Sequence, residues 1–319
     1  MTATAEYADF LRTLSEGSVR KHFDAFEDVR WDDPEYAVVP NDPRWVLPAV
    51  DPLGSHRWYR SLPLDRQIEI GMARQACIAK VGWQFESVLI RGILEYTFWS
   101  KNQDPQFRYL MHEVTEETHH IQMFQELVNR MGVDTPGARP WFKWIQTFLP
   151  MAGRWLPAIF IAGVLAGEEP IDHVQKLIIR SGENQHPLLR RVMQIHIAEE
   201  ARHISWAHEY LRRTTARMGR LDRFVFSISF PIVMRVLCDI IVKPTPQFAK
   251  DLGVPREVLN EVYWRAPESR KMLRDLFSDV RMLAEEAELM NPASRRVWKL
   301  LKIDGRPARY RSEPARAAA

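Results

Sequence analysis

Cysteine is nearly absent. Cys77 and Cys238 are the two in 319 residues, and neither belongs to a CxxC pair. Thiolate metal sites and disulfide scaffolds are thereby disfavoured, and a reducing cytoplasm is the expected setting. Glycine is sparse, at 14 residues, and strand-like alternation is scarce. No glycine-rich fingerprint marks a flavin or nicotinamide site, so a redox reaction here would draw electrons from outside the chain. The net charge of +3 is too small for a nucleic-acid binder. The opening MTATAEYADFLRTLSEGSVRKHF lacks the apolar region of a signal peptide. The longest apolar stretches are Trp155–Gly167 and Phe224–Val242. The first is shorter than the roughly 20 residues a membrane span needs. The second carries Arg235 and Asp239, with Arg223 at its edge. Both read as buried core helices, and no integral span is expected.

What remains is a helical pattern in an ordinary globular composition, 46% apolar and 27% charged. Helices are expected at Ala5–His22, Leu64–Ser100, Asp104–Met131, Trp141–Phe148, Trp155–Ser181, Pro187–Met218 and Arg220–Val242, with shorter ones at Pro255–Trp264 and Pro267–Glu288. Pro105 and Pro187 suit first helical positions. Residues 28–63, rich in Pro, Asp and Trp, read as an extended wrapping segment. The basic residues Arg295, Arg296, Lys299, Lys302, Arg306, Arg309, Arg311 and Arg316 suggest a solvated tail over 292–319. No linker divides the chain, so one domain over 1–319 is expected.

The chemistry lies in a repeat. HEVTEETHHIQMFQEL, from His112, aligns with IHIAEEARHISWAHEY, from Ile195, at an offset of 83 residues. Both contain Glu-Glu-x-x-His-Ile. Glu117 and His120, like Glu200 and His203, stand three apart on a helix and so share one face. A single Glu-x-x-His is weak evidence, and surface charge is its bland reading; two copies at matched positions are a strong signal. A four-helix bundle can aim such pairs at one di-metal site, together with a Glu from each of the other two helices. Glu86 lies 31 residues before Glu117, and Glu169 lies 31 before Glu200. That match selects Glu169 over its neighbour Glu168. Symmetry breaks at His196, four residues before Glu200, whose counterpart is Glu113. Glu116 and Glu199 are expected to point away or to accept neighbouring hydrogen bonds, and Arg202 to pair with a ligand carboxylate. Histidine with carboxylate suits iron, with manganese as the alternative. The fold class expected is all-α, a ferritin-like four-helix core with flanking helices.

Glu117-Thr-His-His120-Ile-Gln-Met-Phe together with His196-x-x-x-Glu200-Ala-Arg-His203 resembles the p-aminobenzoate N-oxygenase (AurF-like) family of di-iron enzymes, over roughly residues 72–212. The resemblance implies seven metal ligands: Glu86, Glu117, His120, Glu169, His196, Glu200 and His203. It implies two iron ions, dioxygen as co-substrate, a peroxo-type intermediate, and oxygen transfer to an aryl amine. The partners implied are a small-molecule substrate and an external electron donor; a homodimer is compatible with this architecture. Two other readings stand beside it: oxidation of an aliphatic or fatty-acid-like substrate, and ferritin-like iron binding or storage.

Overall fold

The computed structural model describes residues 3–308, and no strand occurs among them. The helices are α1 (Ala3–Arg20), α2 (Arg57–Arg60), α3 (Leu64–Thr97), α4 (Pro105–Met131), α5 (Pro140–Ile145), α6 (Met151–Trp155), α7 (Pro157–Arg180), α8 (Pro187–Arg217), α9 (Arg220–Val242), α10 (Pro246–Asp251), α11 (Arg256–Val262), α12 (Pro267–Leu276), α13 (Ser278–Glu286) and α14 (Pro292–Leu300). The fold is all-α and ferritin-like.

Local chemistry sets the ends of the long helices. The Asp104 side chain accepts from the Gln106 amide and Pro105 opens α4, where a missing N–H costs nothing. Gly132 ends α4 at φ 64°, a conformation that glycine adopts without a Cβ penalty. Pro187 opens α8 in the same way as Pro105. The long helix expected from Trp155 starts two residues later, at Pro157. Leu156 takes φ −137° and separates α6 from α7, because a residue before proline is pushed out of the helical region.

Four helices form the central bundle. α3 packs on α4, α7 on α8, α4 on α8, and α3 on α7. Gly92 faces the Phe160 ring and Gly167 faces Phe85. Numbering therefore rises along α3 as it falls along α7, and the two run antiparallel. α3 and α6 approach closely, and a Cβ on Gly153 would run into the Gly92 carbonyl oxygen. α1 lies across α4 and α8, while α9 covers α7 and also packs against α14. α9 is long and apolar enough to cross a membrane by length and composition, but half of its most apolar window is buried inside the fold.

Residues 28–63 contain short helical turns and contact the bundle at several points. Trp45 is buried and stacks on His186 with ring centroids 4.4 Å apart. The Tyr59 hydroxyl accepts from the Leu47 amide at 2.9 Å and donates to the Gln67 carbonyl at 2.7 Å. The C-terminal expectation needs correction. Residues 292–300 form α14, with Asn291 and Ser294 in a capping box and Trp298 buried against Phe230. Ile303 is also buried, so docking continues past the helix. An apolar anchor among the cationic residues outweighs the charge run. Arg309, Arg311 and Arg316 lie outside the described residues. A second correction is that Pro267–Glu288 is two helices, which meet at Phe277.

Candidate metal centre

The two Glu-x-x-His pairs meet in the middle of the bundle. Two groups of donor atoms form there, each within 4.8 Å: Glu86 with His120 and His196, and Glu117, Glu168, Glu200 with His203. All seven residues are buried. Two carboxylates link the groups. Glu117 Oε1 lies 2.9 Å from His203 Nδ1, and its Oε2 lies 3.3 Å from His120 Nδ1. Glu200 Oε1 lies 3.3 Å from His196 Nε2, 3.6 Å from His203 Nδ1 and 3.7 Å from His120 Nδ1. Glu86 Oε1 completes the first group, 3.4 Å from His196 Nε2.

Six of the seven residues expected from the sequence converge: Glu86, Glu117, His120, His196, Glu200 and His203. Glu169 does not. Its Oε2 instead meets His208 Nε2 at 3.1 Å, while the neighbouring Glu168 enters the cluster. The reason is helical phase. Phe160, Val164, Gly167, Ile171, Val174 and Ile178 line the bundle interior from α7. Glu168 falls on that stripe, whereas Glu169 stands about 100° round the helix, facing α8. Matching the spacings assumed two identical hairpins, and the real pair is offset by one residue. Pro170 follows directly within α7 and leaves the Ala166 carbonyl without its helical amide partner.

The outer imidazole nitrogens are held by a reciprocal brace. Glu116, from the first motif, takes His203 Nε2 of the second at 2.8 Å. Glu199, from the second motif, takes His120 Nε2 of the first at 2.9 Å. Arg202 donates to Glu116 at 2.8 Å and lies 3.8 Å from Glu199, so it joins both braces instead of pairing with an inner carboxylate. The Phe23 amide also donates to Glu199 at 3.1 Å. His196 is held by Gln175 Oε1 at 3.0 Å. In each case one ring nitrogen is fixed and the other faces the cluster, the arrangement that metal-binding histidines use. The repeated first Glu of Glu-Glu-x-x-His carried this signal. Gln175 lies seven residues from Glu168 on the same face and carries no motif that marks it in the sequence.

The electrostatics show a site with too much negative charge. Burial, reinforced by Glu117, pushes the Glu86 carboxyl well above the usual carboxylate range. Burial and Glu200 do the same to Glu168. Glu113, one turn before Glu117, is driven up to about 8, chiefly by burial. Burial also works against the Glu117 carboxylate, but His120 and His203 outweigh it and hold that group low. Burial opposes charge on His120 and His203 too, yet their carboxylate neighbours hold both high. For His196 burial prevails and lowers it to about 4.

Several buried acceptors have no hydrogen-bond partner: Glu86 Oε2, both oxygens of Glu168, and Glu200 Oε2. Natural interiors rarely leave such groups unsatisfied unless an ion or water belongs there. Four carboxylates and three neutral imidazoles match the charge of two divalent cations, and the oxygen–nitrogen donor set suits iron. The residues present therefore fit a di-iron group.

One family match decides the relationship: p-aminobenzoate N-oxygenase AurF, over residues 4–288. This chain belongs to the AurF family. Among curated proteins it is 55% identical over 312 residues to the uncharacterized protein Mb0909 of Mycobacterium bovis and to the uncharacterized protein Rv0885 of Mycobacterium tuberculosis. Each alignment covers 98% of this chain and 92% of the relative. No solved structure matches the chain. AurF membership makes the protein an oxygenase of a di-iron family, in agreement with the buried Glu and His clusters.

Proposed function

We propose that this protein is a non-haem di-iron oxygenase that transfers an oxygen atom from dioxygen to the nitrogen of an amine, most simply an aryl amine. The observation that carries this reading is the seven-residue donor cluster, buried yet open on one side to an apolar cavity of about 380 Å³. Glu86, His120 and His196 would hold one iron. Glu168 and His203 would hold the other, with Glu117 and Glu200 between them. The metals supply dioxygen reduction when bound.

The chain's own residues do the rest. Glu116, Glu199 and Gln175 keep the inner imidazole nitrogens aimed at the metals. The apolar walls exclude water from the oxidising centre. The overall step takes an amine, dioxygen, two electrons and two protons to a hydroxylamine and water. A separate reductant supplies the electrons, because no nicotinamide or flavin fingerprint stands in the sequence. The apolar cavity also supports a second reading, hydroxylation of an aliphatic chain at carbon.

Anaerobic loading with ferrous iron, followed by one pulse of isotopically labelled dioxygen in the presence of an aryl amine, tests the proposal. The expected result is label in an N-hydroxylated product. Label in a carbon-hydroxylated product would favour the second reading. Iron taken up far beyond two per chain as ferric mineral would replace both with storage.

A further inference from the structure

The cavity beside the cluster identifies the kind of molecule that enters it. α3 and α7 form its long walls. Along α7 the lining runs from Ile159 to Ile178, about 28 Å at 1.5 Å per residue, with Glu168 near the middle. Along α3 it runs from Gln75 to Leu89, about 21 Å, and includes Glu86. The space is therefore elongated, with the donor cluster on its flank. One end is closed by buried residues, among them Gln75, Ile178 and Leu189. The other opens where Trp141 and Ile145 of α5 face Ile232 and Val236 of α9, all four exposed. Exposed Trp144 and Phe148 follow on the same short segment as Trp141.

The charge on this lining is all of one sign. Its ionisable residues are Glu86, Glu168, His196 and Glu200, from the cluster itself; the other lining residues with polar side chains are Gln75, Gln175 and Trp141. No lysine or arginine lines it. With two divalent irons bound, the four cluster carboxylates already match their charge, so a further carboxylate carried into this space would lose its hydration with no lysine or arginine to pair it, and buried unpaired charge is strongly disfavoured. Gly163 and Gly167 keep the α7 wall thin. A Cβ on Gly163 would reach Leu237 of α9 at 3.5 Å, an ordinary contact, and both residues line the cavity, so a larger side chain there would take up its width.

We infer that the substrate is an elongated, uncharged, apolar molecule, and that small anionic aryl amines such as p-aminobenzoate itself are excluded by charge. The inference rests on the oxygenase reading for the word substrate, but binding alone tests it. The full chain, loaded anaerobically with ferrous iron, is titrated calorimetrically with p-aminobenzoate, its methyl ester and 4-hexylaniline. The ester isolates charge at nearly constant shape; the hexyl chain isolates length.

The expected order is 4-hexylaniline tightest, the ester next, and the acid at least tenfold weaker than the ester. Gly163→Leu should weaken 4-hexylaniline at least tenfold with the iron content unchanged. Leucine favours a helix over glycine, and a native circular dichroism spectrum and denaturant midpoint check that this variant keeps its fold. Val192→Phe fills the space from α8 and should act likewise. Acid binding as tight as the ester, hexylaniline no tighter than the ester, or no binding by any of the three overturns the inference. Failure to load iron would instead count against the oxygenase reading, which separates the two.

Discussion

Replacing Glu116 by Gln should weaken one iron and leave the other in place. In the native protein the Glu116 carboxylate accepts from His203 at 2.8 Å and from Arg202 at 2.8 Å. Burial opposes its charge, but His203 and Arg202 prevail and hold the carboxyl below its usual range, so it is ionised at neutral pH. It thus fixes which nitrogen of His203 carries the proton and raises the basicity of the other. Gln keeps one acceptor oxygen and the shape, but removes the charge. Loss of such a partner typically weakens metal binding by about 10- to 100-fold, equivalent to ~1.4 to 2.8 kcal/mol. Glu199→Gln is the mirror experiment, acting through His120. Anaerobic ferrous titration against a competing chelator resolves the two binding steps. Each variant should show one near-native step and one weakened step. Two native constants in both variants would refute the brace. Equal weakening of both steps in each variant would show that Glu116 and Glu199 do not act through separate histidines.

Glu168→Ala should lower the iron content below two per chain, while Glu169→Ala should keep it and lose only the contact with His208; metal analysis of the purified variants decides. Trp298→Ala should lower stability by about 3–5 kcal/mol, the usual cost of truncating a buried aromatic, as read from the denaturant midpoint. Retention of the native midpoint would mean that α14 does not dock on α9. Gly153→Ala should destabilise by about 1–3 kcal/mol, because the added carbon meets the Gly92 backbone and neither helix can yield cheaply. Cys238 is fully buried, and burial pushes its thiol up to about 12. Iodoacetamide should leave it unlabelled in mildly alkaline buffer until the protein is unfolded, as mass spectrometry of the digested protein would show.

The central helices were legible because their signals are local and redundant. Pro105 with Asp104, Pro187, and the 3.6-residue periodicity of α3, α4 and α8 each agree with the structure. The donor cluster was legible through duplication, since Glu117/His120 and Glu200/His203 keep one phase on equivalent helices. Where the argument depended on exact equivalence it failed. Glu169 satisfied the spacing but not the phase of α7, and the stripe through Val164, Glu168 and Ile171 was the better guide. Glu116 and Glu199 were visible as a repeat, but their role needs the crossing of α4 and α8, which brings each motif's first Glu to the other motif's His. The docked Trp298 was masked by its cationic neighbours. The apolar stretches Trp155–Gly167 and Phe224–Val242 do line the cavity, but sequence could not separate that role from a solid core, which the same residues would equally fill.

The central claim is that Glu86, Glu117, His120, Glu168, His196, Glu200 and His203 surround two irons. A crystal structure of the iron-loaded protein, with anomalous data collected above and below the iron edge, tests it most directly. The account predicts two iron peaks per chain, one between Glu86, His120 and His196 and one between Glu168 and His203, with Glu117 and Glu200 in contact with both. A single peak, a zinc signature, or coordination by Glu169 in place of Glu168 would contradict it.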